Sequence, residues 1–104
     1  MNNARRKKIY DLQTLLELLK TSFNQATLQT CINLLEDIKS DEEDAYDNMP
    51  ESLQCSARGI ASEESIERLE EALEYLNEIS CINDPDEIED NLDCAIDNLC
   101  NAAT

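Results

Sequence analysis

The sequence predicts an all-α protein, an antiparallel bundle of about four helices. Three observations favour this fold class. The chain has 14 Leu, many Glu and no Val, a composition that favours helix over strand. A single Gly among 104 residues leaves few positions for the positive-φ turns of β-hairpins. The apolar residues recur every three or four positions, as they do on one face of a helix. The length predicts one helical domain over residues 1–104.

The first helix is predicted over about 3–20, because Ile9, Leu12, Leu16, Leu19 and Phe23 form one stripe at helical spacing. The phase of the stripe breaks near residues 21–27. The segment 22–25 has the S-x-x-Q form of a capping box, so a second helix over about 25–47 can begin there. One long helix with a kink in this region is the alternative that the spacing leaves open.

The second helix is expected to end at Asn48, since Pro50 cannot continue it. Its apolar stripe consists of Leu28, Cys31, Ile32, Leu35 and Ile38. Residues 48–61 are predicted to form a connection with one short turn over 50–54. Gly59, the only Gly, suits a helix stop or a turn there.

The third helix is predicted over about 62–80, with Ser62 as its cap and an apolar stripe at Ile66, Leu69, Leu73 and Leu76. The fourth is predicted over about 85–102. Asp84 as N-cap, Pro85 at the first position and acids in the first turn together make a strong helix start. The stripe of this helix consists of Ile88, Leu92, Ala95, Ile96, Leu99 and Ala103.

The charge is large and unevenly placed. The formal net charge is −16, yet residues 1–20 hold five of the eight bases and only two of the 24 acids. This balance disfavours direct binding to nucleic acid or to an anionic membrane and favours a basic protein partner. No apolar run approaches a membrane span, and the basic start is not followed by a signal-peptide core. We therefore expect a cytoplasmic protein.

The chain lacks the residues that most catalytic sites need. It has no His, so Ser–His and Cys–His pairs cannot form, and we expect no enzymatic activity and no cofactor. A ferritin-type di-metal site would need Glu-x-x-His. Calcium-loop spacing fails at both Asp41 and Asp84, because neither segment has Gly at the sixth position. We therefore predict no metal site.

The five cysteines are Cys31, Cys55, Cys81, Cys94 and Cys100. Their number is odd, and no pair has C-x-x-C spacing, so we expect reduced thiols that mostly serve as small core residues. Cys55, in the predicted connection, is expected to be the most exposed.

Acidic rows on the polar faces of three helices are the main candidate for a functional surface. Residues 63–78 carry seven carboxylates over about 24 Å of helix, and one DNA strand places about seven phosphates over that distance. The same rows are also typical of a solvated face that keeps a small bundle soluble, which is the alternative interpretation. The predicted partner-binding residues are Glu63, Glu67, Glu70, Glu71, Glu74 and Glu78 in the third helix, Asp41, Glu42, Glu43 and Asp44 in the second, and Asp86, Glu89, Asp93 and Asp97 in the fourth.

The segment Ala45-Tyr-Asp-Asn-Met-Pro-Glu-Ser-Leu-Gln54, followed by Ser56-Ala-Arg-Gly59 and an acidic helix, resembles a known group of sequences. The chain is similar, over about residues 34–79, to small acidic helical proteins of unknown function carried by phages and prophages of Gram-positive bacteria. The stretch 47–54 is the specific part of the likeness. The resemblance implies a phage or prophage setting, in which small acidic inhibitors of host machinery are common.

These observations favour a non-enzymatic interaction protein whose acidic surface binds a basic host protein in the host cytosol. A nucleic-acid-binding target such as a CRISPR nuclease suits the charge, and the protein would then act as a nucleic-acid mimic and inhibitor. The alternative is a homo-oligomeric assembly protein that uses its apolar stripes for contacts, with the charge serving only solubility. In such an oligomer, the basic patch of residues 5–8 could pair with an acidic face of a neighbouring subunit. A sponge for a small phosphate-bearing ligand is disfavoured because bases are scarce.

Overall fold

A computed structural model describes residues 2–103 of the chain. Within them lie five helices: α1 (Asn3–Thr21), α2 (Gln25–Asp47), α3 (Glu51–Gln54), α4 (Ala57–Ile79) and α5 (Pro85–Ala102). The described residues contain no strand, so the predicted all-α fold class is confirmed. The predicted bounds of 25–47 and 85–102 coincide with those of α2 and α5.

The four long helices form an antiparallel bundle that measures 47 × 20 × 18 Å. In cross-section, α1 packs against α2, α2 against α4, α4 against α5, and α5 against α1. Contacts between helix ends show the direction of each pair. The end of α2 meets the start of α4 at Glu42 and Ser62, and the start of α1 meets the end of α5 at Arg6 and Ala103. One end of the bundle therefore collects the start of α1, the end of α2, the start of α4 and the end of α5.

The core lies along the bundle axis and consists mostly of the stripes that the spacing predicts, although four of their members, Ile66, Leu73, Ile88 and Ile96, are only half-buried. The fully buried large side chains are Ile9, Leu12, Leu16, Leu19, Leu28, Leu35, Ile38, Leu69, Leu76, Ile79, Leu92 and Leu99. Each such side chain contributes roughly 1.5–3 kcal/mol when it leaves water. Phe23, which was expected to extend the first stripe, is 40% exposed because α1 has already ended at Thr21.

The break between α1 and α2 is a turn between two packed helices, so the alternative of one kinked helix is wrong. The cap is Asn24 and not Ser22, whose capping box is not used. The side-chain Oδ1 of Asn24 accepts hydrogen bonds from the backbone N–H groups of Ala26, at 2.8 Å, and Thr27, at 3.2 Å. These bonds satisfy two of the donors that a helix start leaves without partners.

At the other boundaries, Asn48 ends α2 as predicted. Asp84 caps α5 by accepting a hydrogen bond from the backbone N–H of Asp86, and Pro85 follows in the first turn.

The start of α4 differs from the prediction, because the helix begins at Ala57 and not after Ser62. Gly59 is neither a helix stop nor a positive-φ turn residue; it lies in the first turn of α4. Its role is close approach: a Cβ at this position would lie 2.2 Å from the backbone oxygen of Gln54 at the end of α3. The absence of a side chain lets α3 pack directly on the start of α4.

The cysteines are also placed differently from the expectation. Cys31 is fully buried, whereas Cys55, Cys81, Cys94 and Cys100 are exposed. The prediction that most of them serve the core is therefore wrong, because four lie outside the buried faces of the helices. Cys94, for example, lies on α5 but outside the buried stripe of Leu92, Ala95 and Leu99.

Candidate functional site

The outer face of α4 carries a continuous set of carboxylates, which we call the α4 row. Its members are Glu63, Glu64, Glu67, Glu70, Glu71, Glu74 and Glu78, and all seven are exposed. The opposite face of the same helix is buried through Leu69, Ala72 and Leu76. Since α4 is packed against the bundle along its length, the row is held in a fixed place on the surface of the bundle.

The other predicted acids lie on α2 and α5, mostly on outer faces. Asp41, Asp44, Asp86, Glu89 and Asp97 are exposed. Glu43 and Asp93 are half-buried, because each lies beside a lysine at a helix–helix boundary.

The few cations of the chain are mostly engaged by its own acids. Within residues 2–103, seven carboxylates lie within 4 Å of a lysine or arginine nitrogen; they are Glu17, Asp41, Glu42, Glu43, Glu70, Glu71 and Asp93. In the α4 row, this group includes only Glu70, which is 3.6 Å from Lys39, and Glu71, which is 3.2 Å from Arg68. The other five row carboxylates have no cationic partner among the described residues.

Ion pairs at the helix boundaries raise the pKa values of the lysines that make them. The hydrogen bond to Asp93, at 2.6 Å, raises the pKa of Lys20 above its usual value. Partial burial lowers the pKa of Lys39, but hydrogen bonds and charge interactions with Glu43 and Glu70 outweigh it and raise the pKa overall. Both lysines thus remain charged and neutralise acids of adjacent helices.

One member of the row makes a contact to α2 that does not involve a cation. The hydroxyl of Tyr46 donates a hydrogen bond to Oε1 of Glu63, and this bond raises the pKa of the tyrosine. The contact fixes the first carboxylate of the row relative to the end of α2.

Glu42 corrects the prediction that all these acids belong to an exposed surface. Its side chain is 1% exposed, so Glu42 is not available to a partner. Its Oε2 accepts a hydrogen bond from Nε of Arg5 at 2.6 Å, and its Oε1 accepts one from the hydroxyl of Ser62 at 2.8 Å. These bonds compensate for the desolvation of a buried carboxylate, which would otherwise be costly.

The helical spacing of the sequence indicates these buried polar positions. Their residue types, however, are typical of exposed positions. Glu42 continues the series Leu28, Cys31, Leu35, Ile38 at intervals of three and four. Ser62 and Ser65 extend the stripe of α4 backwards in the same way, and both are buried. The core stripes thus end in polar residues at one end of the bundle, where Ser62 bonds to Glu42 and Ser65 bonds to the backbone oxygen of Ala102.

The basic patch of residues 5–8 is part of α1, and three of its four residues pair within their own chain. Besides the pair between Arg5 and Glu42, Lys8 lies 3.4 Å from Asp41. Arg6 donates through Nε to the backbone oxygen of Ala103 at 2.9 Å, which supplies a partner to the end of α5. The patch holds α1 to the ends of α2 and α5.

A groove of about 320 Å³ opens at this same end of the bundle, and we call it the corner groove. Its lining includes Arg5, Glu42, Asn48, Met49, Leu53 and Arg58. Residues 48–53 belong to the segment that connects α2 to α4 and includes α3. That segment forms the corner between α2 and α4, and the side-chain amide of Gln54 secures it by donating to the backbone oxygen of Tyr46 at 3.0 Å.

Residues 2–103 contain no group of three or more side chains placed to hold a metal ion. No helix in this part of the chain is long and apolar enough to span a bilayer. In comparisons with protein-family models, curated proteins and solved structures, none matches the chain.

Proposed function

We propose that the protein is a non-enzymatic binding module whose acidic outer surface, centred on the α4 row, binds a basic protein. The observation that carries this proposal is the row itself. Seven exposed carboxylates lie on one face of a helix that is packed along its length, and five of them have no cationic partner within residues 2–103. A partner that supplies cations to this face would release counterions and gain long-range attraction.

The spacing of the row favours a partner that normally binds nucleic acid. Residues 63–78 place seven carboxylates over about 24 Å, which is close to the density of phosphates along one DNA strand. A basic groove that neutralises a phosphate backbone would therefore find charges at a matching interval. In the phage setting implied by the resemblance, we propose an inhibitor that acts in the host cytosol on a nuclease or another defence enzyme of this kind.

The test compares two variants of equal net charge. In the row variant, Glu63, Glu67, Glu74 and Glu78 are replaced by Gln, which keeps an oxygen acceptor for Tyr46. In the control variant, four exposed acids outside the predicted surface are neutralised: Glu36→Gln, Asp37→Asn, Glu87→Gln and Asp90→Asn. Each protein is used at low salt to capture partners from a lysate of a Gram-positive bacterium, and the captured protein is purified for calorimetry.

We expect the wild type and the control variant to bind the same basic protein, and the row variant to bind it at least tenfold more weakly. The affinity should fall steeply between about 50 and 200 mM salt, and duplex DNA should compete. Equal loss of binding in both variants would show that bulk charge acts and not the row. An affinity independent of salt would contradict the proposal altogether.

Self-assembly is a second candidate, although the structure changes which residues would serve it. The apolar stripes expected to make the contacts are buried within a single chain. The apolar side chains left exposed include Tyr10, at 54%, and Leu18, at 57%, both on α1. Sedimentation equilibrium distinguishes the candidates, since an assembly protein would form a stable oligomer that Tyr10→Ser and Leu18→Ser dissociate.

A further inference from the structure

The corner groove is built by four elements of the chain. Arg5 comes from α1, Glu42 and Asn48 from α2 and its end, Leu53 from α3, and Arg58 from the first turn of α4. The antiparallel topology brings these segments to one end of the bundle, so residues far apart in sequence share one cavity. The groove is therefore a feature of the molecule separate from its fold class and from its acidic surface.

The orientation of Arg5 is set by a buried pair of polar side chains. Glu42 accepts the hydrogen bond from Nε of Arg5 and is itself held by the hydroxyl of Ser62. This leaves the Nη donors of the guanidinium for other acceptors. A buried ion pair is often no more stabilising than apolar residues of the same volume. What this pair provides in addition is a guanidinium held in a fixed position in the wall of the groove.

Arg58 brings a second guanidinium to the same cavity. It is exposed, and among residues 2–103 no carboxylate lies within 4 Å of its nitrogens. The other arginine of the groove, Arg5, is paired with Glu42, whereas the guanidinium of Arg58 is not engaged by an acid of the described residues. The carboxylate of Glu42 also faces the groove, but Arg5 and Ser62 engage its two oxygens.

The rest of the lining indicates the kind of molecule that would fit. Ala45, Met49, Pro50 and Leu53 supply an apolar wall, and the side-chain amide of Asn48 lies beside them. The volume of about 320 Å³ is at the lower end of the range of small-molecule sites, roughly 300–1,000 Å³. Because the net charge of −16 repels polyanions, a ligand with a single negative charge is favoured over a nucleotide.

We propose that the corner groove is a binding site for a small monocarboxylate with an apolar body. The carboxylate is bound between the guanidinium groups of Arg5 and Arg58, and the apolar body packs against Met49, Pro50 and Leu53. Guanidinium is suited to this role because its planar donors match the two oxygens of a carboxylate. The carboxyl end of a peptide and a free short-chain acid share this chemistry.

The experiment is a titration followed by chemical shifts of the 15N-labelled full chain at low ionic strength. N-acetyl-L-leucine represents a peptide terminus and hexanoate a free acid; N-acetyl-L-leucinamide and inorganic phosphate are the control ligands. The variant is Arg58→Gln, and its matched control is Arg68→Gln, which removes an exposed arginine from α4 away from the groove. Because both arginines are exposed, the two variants should retain the wild-type spectrum elsewhere.

We expect at least one carboxylate to shift the amide signals of Asn48 and Leu53 saturably in the wild type and in Arg68→Gln. The dissociation constant should rise at least tenfold in Arg58→Gln, and the uncharged amide should not bind. The tighter of the two carboxylates identifies the source of the ligand. The proposal is overturned if neither carboxylate shifts these signals, if Arg58→Gln binds as well as Arg68→Gln, or if phosphate binds as tightly as the carboxylates.

Discussion

At the scale of single residues, the buried polar cluster at one end of the bundle departs most from a simple reading of the sequence. Glu42 is one of 24 acids and occurs in the most acidic stretch of the chain, yet it occupies a core position. It can do so because the half-buried Arg5 and the buried Ser62 face it and supply donors. We therefore expect the loss of Glu42 to destabilise the bundle more than the loss of a neighbouring exposed acid.

We predict that Glu42→Ala lowers the free energy of unfolding by about 3 kcal/mol, since removing one partner leaves the other charge poorly compensated in the interior. Asp44→Ala, which removes an exposed acid two residues away, should change it by less than about 0.5 kcal/mol. Urea denaturation of both variants measures the difference. Equal midpoints would show that the buried pair contributes no stability.

Gly59 supports a second prediction at this scale. Ala is normally favoured over Gly in a helix by about 1 kcal/mol, so propensity alone predicts that Gly59→Ala is stabilising. The added Cβ would instead lie 2.2 Å from the backbone oxygen of Gln54, and α3 would have to move. We expect a loss of at least about 1 kcal/mol in thermal or urea unfolding. A gain in stability would indicate that α3 is not held against α4.

Cys31 gives the fold a dependence on alkaline pH. Burial raises the pKa of its thiol from 9.0 to about 11. Between these values the unfolded chain binds fewer protons than the folded one, so this contribution is complete below pH 9 and is lost as the pH rises towards 11.

From about pH 8 to about pH 10.5, we expect the wild type to lose roughly 2 kcal/mol more stability than Cys31→Ala, since a shift of one pKa unit corresponds to 1.36 kcal/mol. Unfolding in reducing buffer at both pH values tests this. The variant is less stable throughout because of its cavity, so only the pH-dependent difference counts. Equal losses of stability in the wild type and in Cys31→Ala would contradict the raised pKa of Cys31.

At the scale of elements, the long helices follow from local signals, and the errors lie where a helix start depends on a neighbour. Stripe spacing and the Asp84–Pro85 start were sufficient to predict α2 and α5. The start of α4 was predicted late because Gly59 suits a helix stop or a turn and Ser62 suits an N-cap. In the structure, α3 packs against Gly59 while Ser62 and Ser65 bond to Glu42 and to the backbone of Ala102. These partners come from elsewhere in the chain.

The turn between α1 and α2 allows a direct test of which residue caps a helix. Asn24→Ala should reduce the free energy of unfolding by about 1 kcal/mol, because the N–H groups of Ala26 and Thr27 lose their acceptor. Ser22→Ala, at the position that the capping-box pattern suggested, should have almost no effect. Urea unfolding of the two variants measures this. A larger loss of stability for Ser22→Ala would instead support a capping box at Ser22.

At the scale of the whole molecule, the net charge of −16 means that added salt should increase stability but weaken binding to a basic partner. Salt screens repulsion among the acids and favours the compact state, while it weakens attraction to a basic partner. We expect the melting temperature to rise by about 5 °C between about 0.1 and 1 M NaCl. The row variant, with four fewer charges, should show a smaller rise. A melting temperature that does not rise with salt would mean that repulsion is unimportant.

The sequence by itself determined the fold class, most of the residues that form the core and the exposed acidic row of α4, because each depends on the periodicity of one helix. Only the tertiary structure decided which polar residues leave water. Glu42 and Ser62 are buried against the half-buried Arg5, and the corner groove exists, because antiparallel packing brings the start of α1, the end of α2, α3 and the start of α4 to one place. Whether a charge is solvated or paired in the interior depends on the other helices around it, and the pattern of a single helix does not contain that information.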